Sequence, residues 1–294
     1  MNFDSHIFLP TPIQKLESPF LTNLEVELWV KRDDLTHQAI SGNKARKLKY
    51  NLLKAKTLNK NTLITFGGAY SNHIYALAAA AKLFDFKSIG IIRGDELNGR
   101  SSSTLSYATE ADMKLHFVSR TAYRDKVALA KSLETDQSFT IPEGGSNELA
   151  LEGCAEMMDE VLSKLSPSHF CLAAGTGGTT AGVLSNANYK GATYCFPVLK
   201  NGGFIKDEIE TLLQKPIVKP FNLFTDYHFG GYAKNTKELL DFMTEFEESY
   251  GIQLEQVYTA KLFYGVFDLL RKKQFPKDSK IVIYHSGGLQ GRVA

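Results

Sequence analysis

A lysine at the start of a helix is a poor choice for stability, because the partial positive charge of the helix terminus opposes it. Lys44 occupies such a place: Ser41-Gly42-Asn43-Lys44-Ala45-Arg46-Lys47-Leu48 leads from the polar loop after Trp29-Val30-Lys31-Arg32-Asp33-Asp34 into a helical pattern. Taken alone, Lys44 reads either as a surface cation or as an amine kept for nucleophilic work. Within the basic stretch Lys44 to Lys54, Lys49 and Lys54 are expected on a solvated helix face.

Two other turns could hold an anion. Gly175-Thr176-Gly177-Gly178-Thr179-Thr180-Ala181-Gly182 follows the apolar run Cys171 to Ala174, so it is a strand-to-helix turn. Glycines let the backbone approach an anion, and free N–H groups at a helix start point toward it. A dinucleotide fingerprint would need a small third residue where Thr180 stands, and a P-loop would need Gly-Lys-Ser/Thr where Gly182 is followed by Val183. What remains is a compact cup for a monophosphate, or a tight turn with no ligand. The second turn, Gly67-Gly68-Ala69-Tyr70-Ser71-Asn72-His73, precedes the Ala-rich pattern Ile74 to Lys82. Capping needs only one of Ser71 and Asn72. Ser, Asn and His arriving together behind two glycines favour binding.

The elements that must position these turns are short apolar runs at Glu27 to Val30, Leu63 to Phe66, Ser88 to Ile92, Lys114 to Val118, Phe139 to Ile141, Phe170 to Ala174, Tyr194 to Val198 and Ile281 to Tyr284. Helical patterns lie between them, at Ala45 to Lys56, His73 to Phe84, Tyr123 to Leu133, Thr180 to Asn188 and Lys237 to Tyr250. Strands alternating with helices predict an α/β protein with mainly parallel sheets, whose ligands bind beyond the carboxyl ends of the strands. A chain of 294 residues slightly favours two lobes over one. No linker or internal repeat separates them, so a second lobe must be folded into the chain.

Composition narrows the partners. With 34 Lys+Arg against 32 Asp+Glu, the net charge of +2 is too small for a chain that coats phosphate backbones, and no nucleic acid is expected. Cys154, Cys171 and Cys195 are widely spaced with no metal-binding pattern, and read as free thiols with no metal. The N-terminal stretch MNFDSHIFLPTPIQKL lacks the features of a signal peptide, and no apolar run reaches a membrane span. A cytoplasmic protein with no membrane partner is expected.

Four motifs in order, SGNKARKL, GGAYSNH, GTGGTTAG and VYTAK, span positions 41 to 261. Together they resemble the pyridoxal-phosphate family containing D-cysteine desulfhydrases and 1-aminocyclopropane-1-carboxylate deaminases. The resemblance implies a tryptophan-synthase-β-like fold: α/β, two domains with open, mainly parallel twisted sheets flanked by helices. Residues 1-45 and 150-294 would form a large cofactor-binding domain and 46-149 a smaller inserted one. It also implies a homodimer, pyridoxal 5'-phosphate carried on Lys44, and a small amino acid as substrate. Lys44 would shuttle protons once substrate displaces it. Asn72 would bond the cofactor's phenolic oxygen, and Gly175, Thr176, Gly177, Gly178 and Thr179 its phosphate. Ser71 would meet the substrate carboxylate beside Asn72 and His73, with Lys47 a second basic residue in the pocket. Tyr232 in HFGGYAK and Tyr258 in VYTAK, 26 residues apart, match a pair of catalytic tyrosines. Without the resemblance both would read as ordinary amphipathic core residues.

Thr259 matches the residue that faces the pyridine nitrogen. The cyclopropane deaminases carry a glutamate there and the desulfhydrases a hydroxyl; a neutral hydroxyl makes a weaker electron sink, which suits β-elimination. His73 also follows the desulfhydrases, where the deaminases have glutamine. The implied reaction is therefore D-cysteine desulfhydration to pyruvate, ammonia and sulfide. The alternatives are cyclopropane deamination, β-replacement, and a cofactor-binding protein without turnover. HFGGYAK departs from the family's proline-glycine-tyrosine-glycine form, and the chain is short for the family. Ser146 and Asn147 carry no expected catalytic role.

Overall fold

The computed structural model describes residues 2–292; residues 1, 293 and 294, the outermost of the range expected for the large domain, lie outside the described residues. The first half runs β1 (Ile13–Leu16), α1 (Pro19–Asn23), β2 (Glu27–Arg32), α2 (Asn43–Thr57), β3 (Thr62–Gly67), α3 (Asn72–Leu83), β4 (Lys87–Arg93), α4 (Ser103–Glu110), β5 (Lys114–Val118), α5 (Lys126–Leu133) and β6 (Ser138–Thr140). The second half runs α6 (Glu148–Leu162), β7 (His169–Ala174), α7 (Gly178–Ser185), β8 (Ala192–Pro197), α8 (Ile205–Leu213), β9 (Phe221–Leu223), α9 (Lys237–Tyr250), α10 (Thr259–Arg271) and β10 (Lys280–His285).

Two sheets result. The larger has the order β1-β2-β10-β7-β8-β9 and the smaller β5-β4-β3-β6. Every pairing is parallel except β1 against β2. The strands of parallel sheets are covered on both faces, so they read as continuous apolar runs. β7 is buried at all six positions, for example, and β10 at all but its first. Because β10 lies between β2 and β7, the loops leaving three neighbouring strands emerge along one edge. In the smaller sheet β3 pairs with β6, so the loops after those two strands also leave side by side.

The expected helices form with adjusted ends. The pattern Tyr123 to Leu133 breaks at Asp125, whose carboxylate accepts from the Ala128 amide and starts α5 after a short 3-10 turn. α7 stops at Ser185 rather than Asn188, because the Asn186 side chain accepts from the amides of Asn188 and Tyr189 and turns the chain. Lys54 is exposed as expected, but Lys49 is not on a solvated face: its ammonium donates to Glu156 at 2.9 Å.

A buried ionic cluster ties α2 to the large sheet. Arg46 donates to Asp33 at 3.0 Å and to Glu160 of α6, and Tyr284 of β10 donates to Asp33 at 2.7 Å. Burial alone would raise the Asp33 carboxyl, but Arg46 and then Lys31 outweigh it and hold it down to about 2. Removing one partner of such a cluster leaves an uncompensated buried charge.

Gly42 fixes where α2 begins. Its φ of +66° lies in the left-handed region, and a Cβ there would run into the Ser286 carbonyl beyond β10. Gly42→Ala is therefore expected to cost about 3 kcal/mol or more, combining a positive φ with an unyielding backbone contact. Urea denaturation checks this: a midpoint equal to wild type would show that the turn can open at no cost.

Candidate active site

Lys44 is the second residue of α2, and its ammonium donates to the Asn43 side-chain oxygen at 3.1 Å. Burial, followed by the nearby charge of Lys47, pulls its pKa down to about 7, so a large share of the Lys44 side chains are free amines at neutral pH. One turn later, Lys47 points to the same side and donates to the Gly144 carbonyl at 3.1 Å and to Ser146 Oγ at 2.9 Å. Its own pKa is drawn down to about 8 by burial. Among the described residues, neither lysine takes part in a salt bridge.

The glycine turn after β7 closes over these lysines. Ser146 Oγ lies 2.7 Å from Thr176 Oγ1, and the Asn43 side-chain amide donates to Thr179 Oγ1 at 2.9 Å. Gly177 takes φ +71° as the residue before α7, and a Cβ on Gly178 would come within 3.0 Å of the Lys47 ammonium. The turn thus gathers hydroxyls, helix-start amides and one cation whose charge no carboxylate balances. A buried cation without a counter-ion is unfavourable unless an anion completes the site. A phosphate supplies what this donor set lacks.

The turn after β3 supplies the opposite wall. Ser71 caps α3, its Oγ accepting from the Ile74 amide at 3.3 Å. The side-chain oxygen of Asn72 accepts from Gln290 at 2.9 Å, which leaves the Asn72 amine as a donor; it lies against Gly288, with no room there for a Cβ. Thr65 Oγ1 gives its only proton to the Ile141 carbonyl, so its 2.8 Å contact with His73 Nε2 makes that nitrogen the N–H. His73 Nδ1 is then a bare lone pair, buried and without a partner in the chain. Burial, then the charges of Lys44 and Lys47, push the His73 pKa well below its usual value, so the ring stays neutral.

Tyr232 and Tyr258 meet edge to face with ring centroids 6.0 Å apart. The Tyr258 hydroxyl lies over Gly175, where a Cβ would come within 2.9 Å of it. Burial, then Tyr232, raise the Tyr258 pKa well above the usual phenol value, and burial raises that of Tyr232. Both phenols therefore keep their protons. Tyr232 is 38% exposed and donates to the Tyr70 carbonyl at 3.4 Å, which places it at the rim.

Thr259 is buried, and its hydroxyl is committed to its own turn, accepting from the Glu255 amide at 2.8 Å and donating to the Glu255 carbonyl at 3.2 Å. The Glu255 carboxylate accepts from the amides of Val257, Tyr258 and Thr259 at 2.7–2.8 Å, a charged cap on α10.

The structure thus gathers Lys44, Lys47, the turn Gly175 to Thr179 and Ser146 at the ends of β2, β7 and β6. Tyr258 joins them over Gly175. Ser71, Asn72 and His73 arrive from β3. Sequence reasoning missed Asn43, Ser146, Glu255 and Gln290. Glu255 alone had a local signal, an acid just before a helical pattern; the others are defined by partners far away in the chain. Among the described residues no His/Cys/Asp/Glu group could hold a metal, and no helix is long and apolar enough to cross a membrane.

Comparison with known proteins agrees with this architecture. Residues 5–287 match the family described as pyridoxal-phosphate dependent enzyme. The chain is 32% identical to the Arabidopsis thaliana mitochondrial bifunctional D-cysteine desulfhydrase/1-aminocyclopropane-1-carboxylate deaminase, over 98% of this chain and 79% of that protein. It is 27% identical to the Klebsiella pneumoniae D-cysteine desulfhydrase, over 95% of this chain and 92% of that one. Among solved structures, one titled as an ACC deaminase homologue superposes with a TM-score of 0.80 at 29% identity, covering 97% of this chain and 91% of its own.

Proposed function

Because this chain belongs to the pyridoxal-phosphate dependent enzymes, we propose that it converts D-cysteine and water to pyruvate, ammonia and sulfide, by β-elimination of sulfide followed by hydrolysis of the released aminoacrylate. The observation that carries this reading is the pair of lysines without a carboxylate partner, half-buried Lys44 with its pKa drawn down to about 7 and buried Lys47 set in a hydroxyl and glycine cup. That donor set fits the cofactor's aldehyde and phosphate. Pyridoxal phosphate, when bound, supplies an electron sink that makes the α-hydrogen of an amino acid acidic and favours loss of a β-substituent.

The chain's own groups would do the rest. Lys44 would hold the cofactor through its amine and take the α-proton of the substrate on Nζ. Lys47, Ser146, Thr176 and Thr179, with the amides of Gly175, Gly177 and Gly178, would hold the phosphate. The Asn72 side-chain NH2, left free to donate by the Gln290 bond to its oxygen, would donate to the phenolic oxygen. Ser71 and Asn72, with the backbone amides at the start of α3, would receive the substrate carboxylate, which the helix terminus favours; the neutral His73 ring, whose free nitrogen is a lone pair, would not donate to it as the sequence reading expected. Tyr232 and Tyr258, both protonated, offer O–H groups to the departing sulfur. At the ring nitrogen the chain would present Thr259, a neutral residue whose hydroxyl stays bonded to the Glu255 backbone, so that residue would bring no carboxylate to keep the nitrogen protonated, as opening a cyclopropane requires.

Residues 46-149 would act as a smaller domain inserted between 1-45 and 150-294, a division supported by the contiguous stretch that builds the four-stranded sheet. A homodimer in the cytoplasm completes the reading. The name of the Arabidopsis relative keeps 1-aminocyclopropane-1-carboxylate in view as a second substrate.

An amino-acid panel assayed for 2-oxo acid and sulfide separates the readings. D-cysteine is expected to yield pyruvate and sulfide in equal amounts, with little 2-oxo acid from 1-aminocyclopropane-1-carboxylate. The reverse preference would make the protein a deaminase. Cofactor absorbance with no product from any amino acid would leave it a binding protein.

A further inference from the structure

The loop that brings Tyr232 to the site has an unusual backbone. Phe229, Gly230, Gly231 and Ala233 have φ values of 50°, 92°, 117° and 56°. Two of these are not glycine, and left-handed conformations outside glycine persist only where the surroundings hold them. The segment belongs to no helix or strand, and Tyr232 at its tip is 38% exposed. It also lacks the proline that would stiffen it. Something else must set the position of Tyr232.

Phe229 packs edge-on against Tyr264 and Tyr232 against Tyr258, and a buried cation hydrogen-bonds the backbone between them. Lys261, on the first turn of α10 and fully buried, donates to the Gly231 carbonyl at 2.7 Å and to the His228 carbonyl at 2.9 Å. His228 and Gly231 are also joined by a backbone bond from the Gly231 amide to the His228 carbonyl. The ammonium therefore sits in a concave turn of backbone oxygens, where a cation stands in for the water those carbonyls would otherwise need. Its pKa is drawn down to about 8 by burial, with Glu255 acting the other way. Lys261 lies three residues beyond Tyr258, on the same face of the helix start. A single helix turn thus carries one tyrosine directly and holds the other through its loop.

We propose that Lys261 is a positioning residue that fixes the Tyr232 loop against Tyr258 by binding the His228 and Gly231 carbonyls. The proposal rests on the reading of Tyr232 and Tyr258 as the working tyrosines. Lys261 has no part in holding the cofactor or the substrate carboxylate.

The test compares Lys261→Met, Lys261→Gln and Tyr232→Phe with wild type, all full-length and loaded with pyridoxal phosphate. Amide hydrogen exchange of residues 229–234 is measured without substrate, and kcat and KM with D-cysteine. Lys261→Met is expected to speed exchange in the loop about tenfold or more while α9 and the rest of α10 keep wild-type protection. It should lower kcat about tenfold, as losing charge-assisted bonds predicts. KM and cofactor absorbance should stay within about twofold of wild type. Lys261→Gln, which keeps neutral donors, should fall between the two. Wild-type exchange in the loop of a folded Lys261 variant overturns the clamp, whatever the activity. A loosened loop together with undiminished kcat in Tyr232→Phe sinks the tyrosine reading instead. If Lys261→Met does not fold, Lys261→Gln decides by the same exchange criterion.

Discussion

Lys44→Ala is expected to lower 2-oxo-acid release by roughly 10³-fold or more, since it removes the covalent anchor and the proton acceptor together. The cofactor should still bind, because the cup formed by Lys47, Ser146 and Thr176 is untouched, but it should be removable by dialysis. Visible absorbance and mass spectrometry after borohydride reduction check both halves. Reduction should trap the cofactor on the wild-type chain and not on the variant. Wild-type-like turnover in the variant would overturn the central assignment.

The pH dependence follows from the same residue. With a pKa of about 7 the Lys44 amine is protonated and inert below that value and free above it. Capture of pyridoxal phosphate by the cofactor-free chain should therefore speed up as the pH rises from about 6 to 8 and then level off. An ordinary lysine would still be gaining near pH 10. A midpoint there would mean that burial does not tune this amine.

Lys47→Met should weaken cofactor binding by about 10- to 100-fold, the loss expected for charge-assisted bonds to phosphate. It should also act on Lys44. The Lys47 charge is one reason the Lys44 pKa is low, so removing it should move the midpoint of cofactor capture to higher pH. Titration with pyridoxal phosphate at several pH values reads both effects. A weaker cofactor complex with an unmoved midpoint would mean that Lys47 serves the phosphate alone.

Much of this could be read from the residues, for reasons that differ by element. Strands of parallel sheets announce themselves as apolar runs, and each of the eight runs overlaps an observed strand, with Ile141 and Val198 one residue beyond β6 and β8, although β5 and β6 at the small sheet's edges are only partly buried. β1 and β9 were not legible. The first, Ile13–Leu16, is a four-residue edge strand with polar Gln14 and Lys15, and the second, Phe221–Leu223, is only three residues long. In the site, Lys44 was marked by its conflict with the helix terminus and the phosphate turn by its glycines. Tyr232 and Tyr258 had no such mark, since a phenol gains its role only from what faces it. Ser146 was passed over because its partners, Lys47 and Thr176, lie 99 and 30 residues away. Lys49 was misread for the same reason, its partner Glu156 being 107 residues along the chain.

The place of β10 in the large sheet bears on how the protein is made. Of the described strands it leaves the ribosome last, yet it is the one that joins β2 to β7. The four-stranded sheet is contiguous in the chain and can assemble early, whereas β2 and α2 must wait for a partner some 250 residues downstream. The residues after β10 complete the site as well: Ser286 accepts from the Asn43 amide beside Lys44, and Gln290 holds Asn72. A nascent chain that has not yet released β10 thus exposes the flanks of two apolar strands and has no finished cofactor pocket. Cofactor loading in the cell therefore reports that synthesis has run through the last strand, and the interval before it is when chaperones have most to protect.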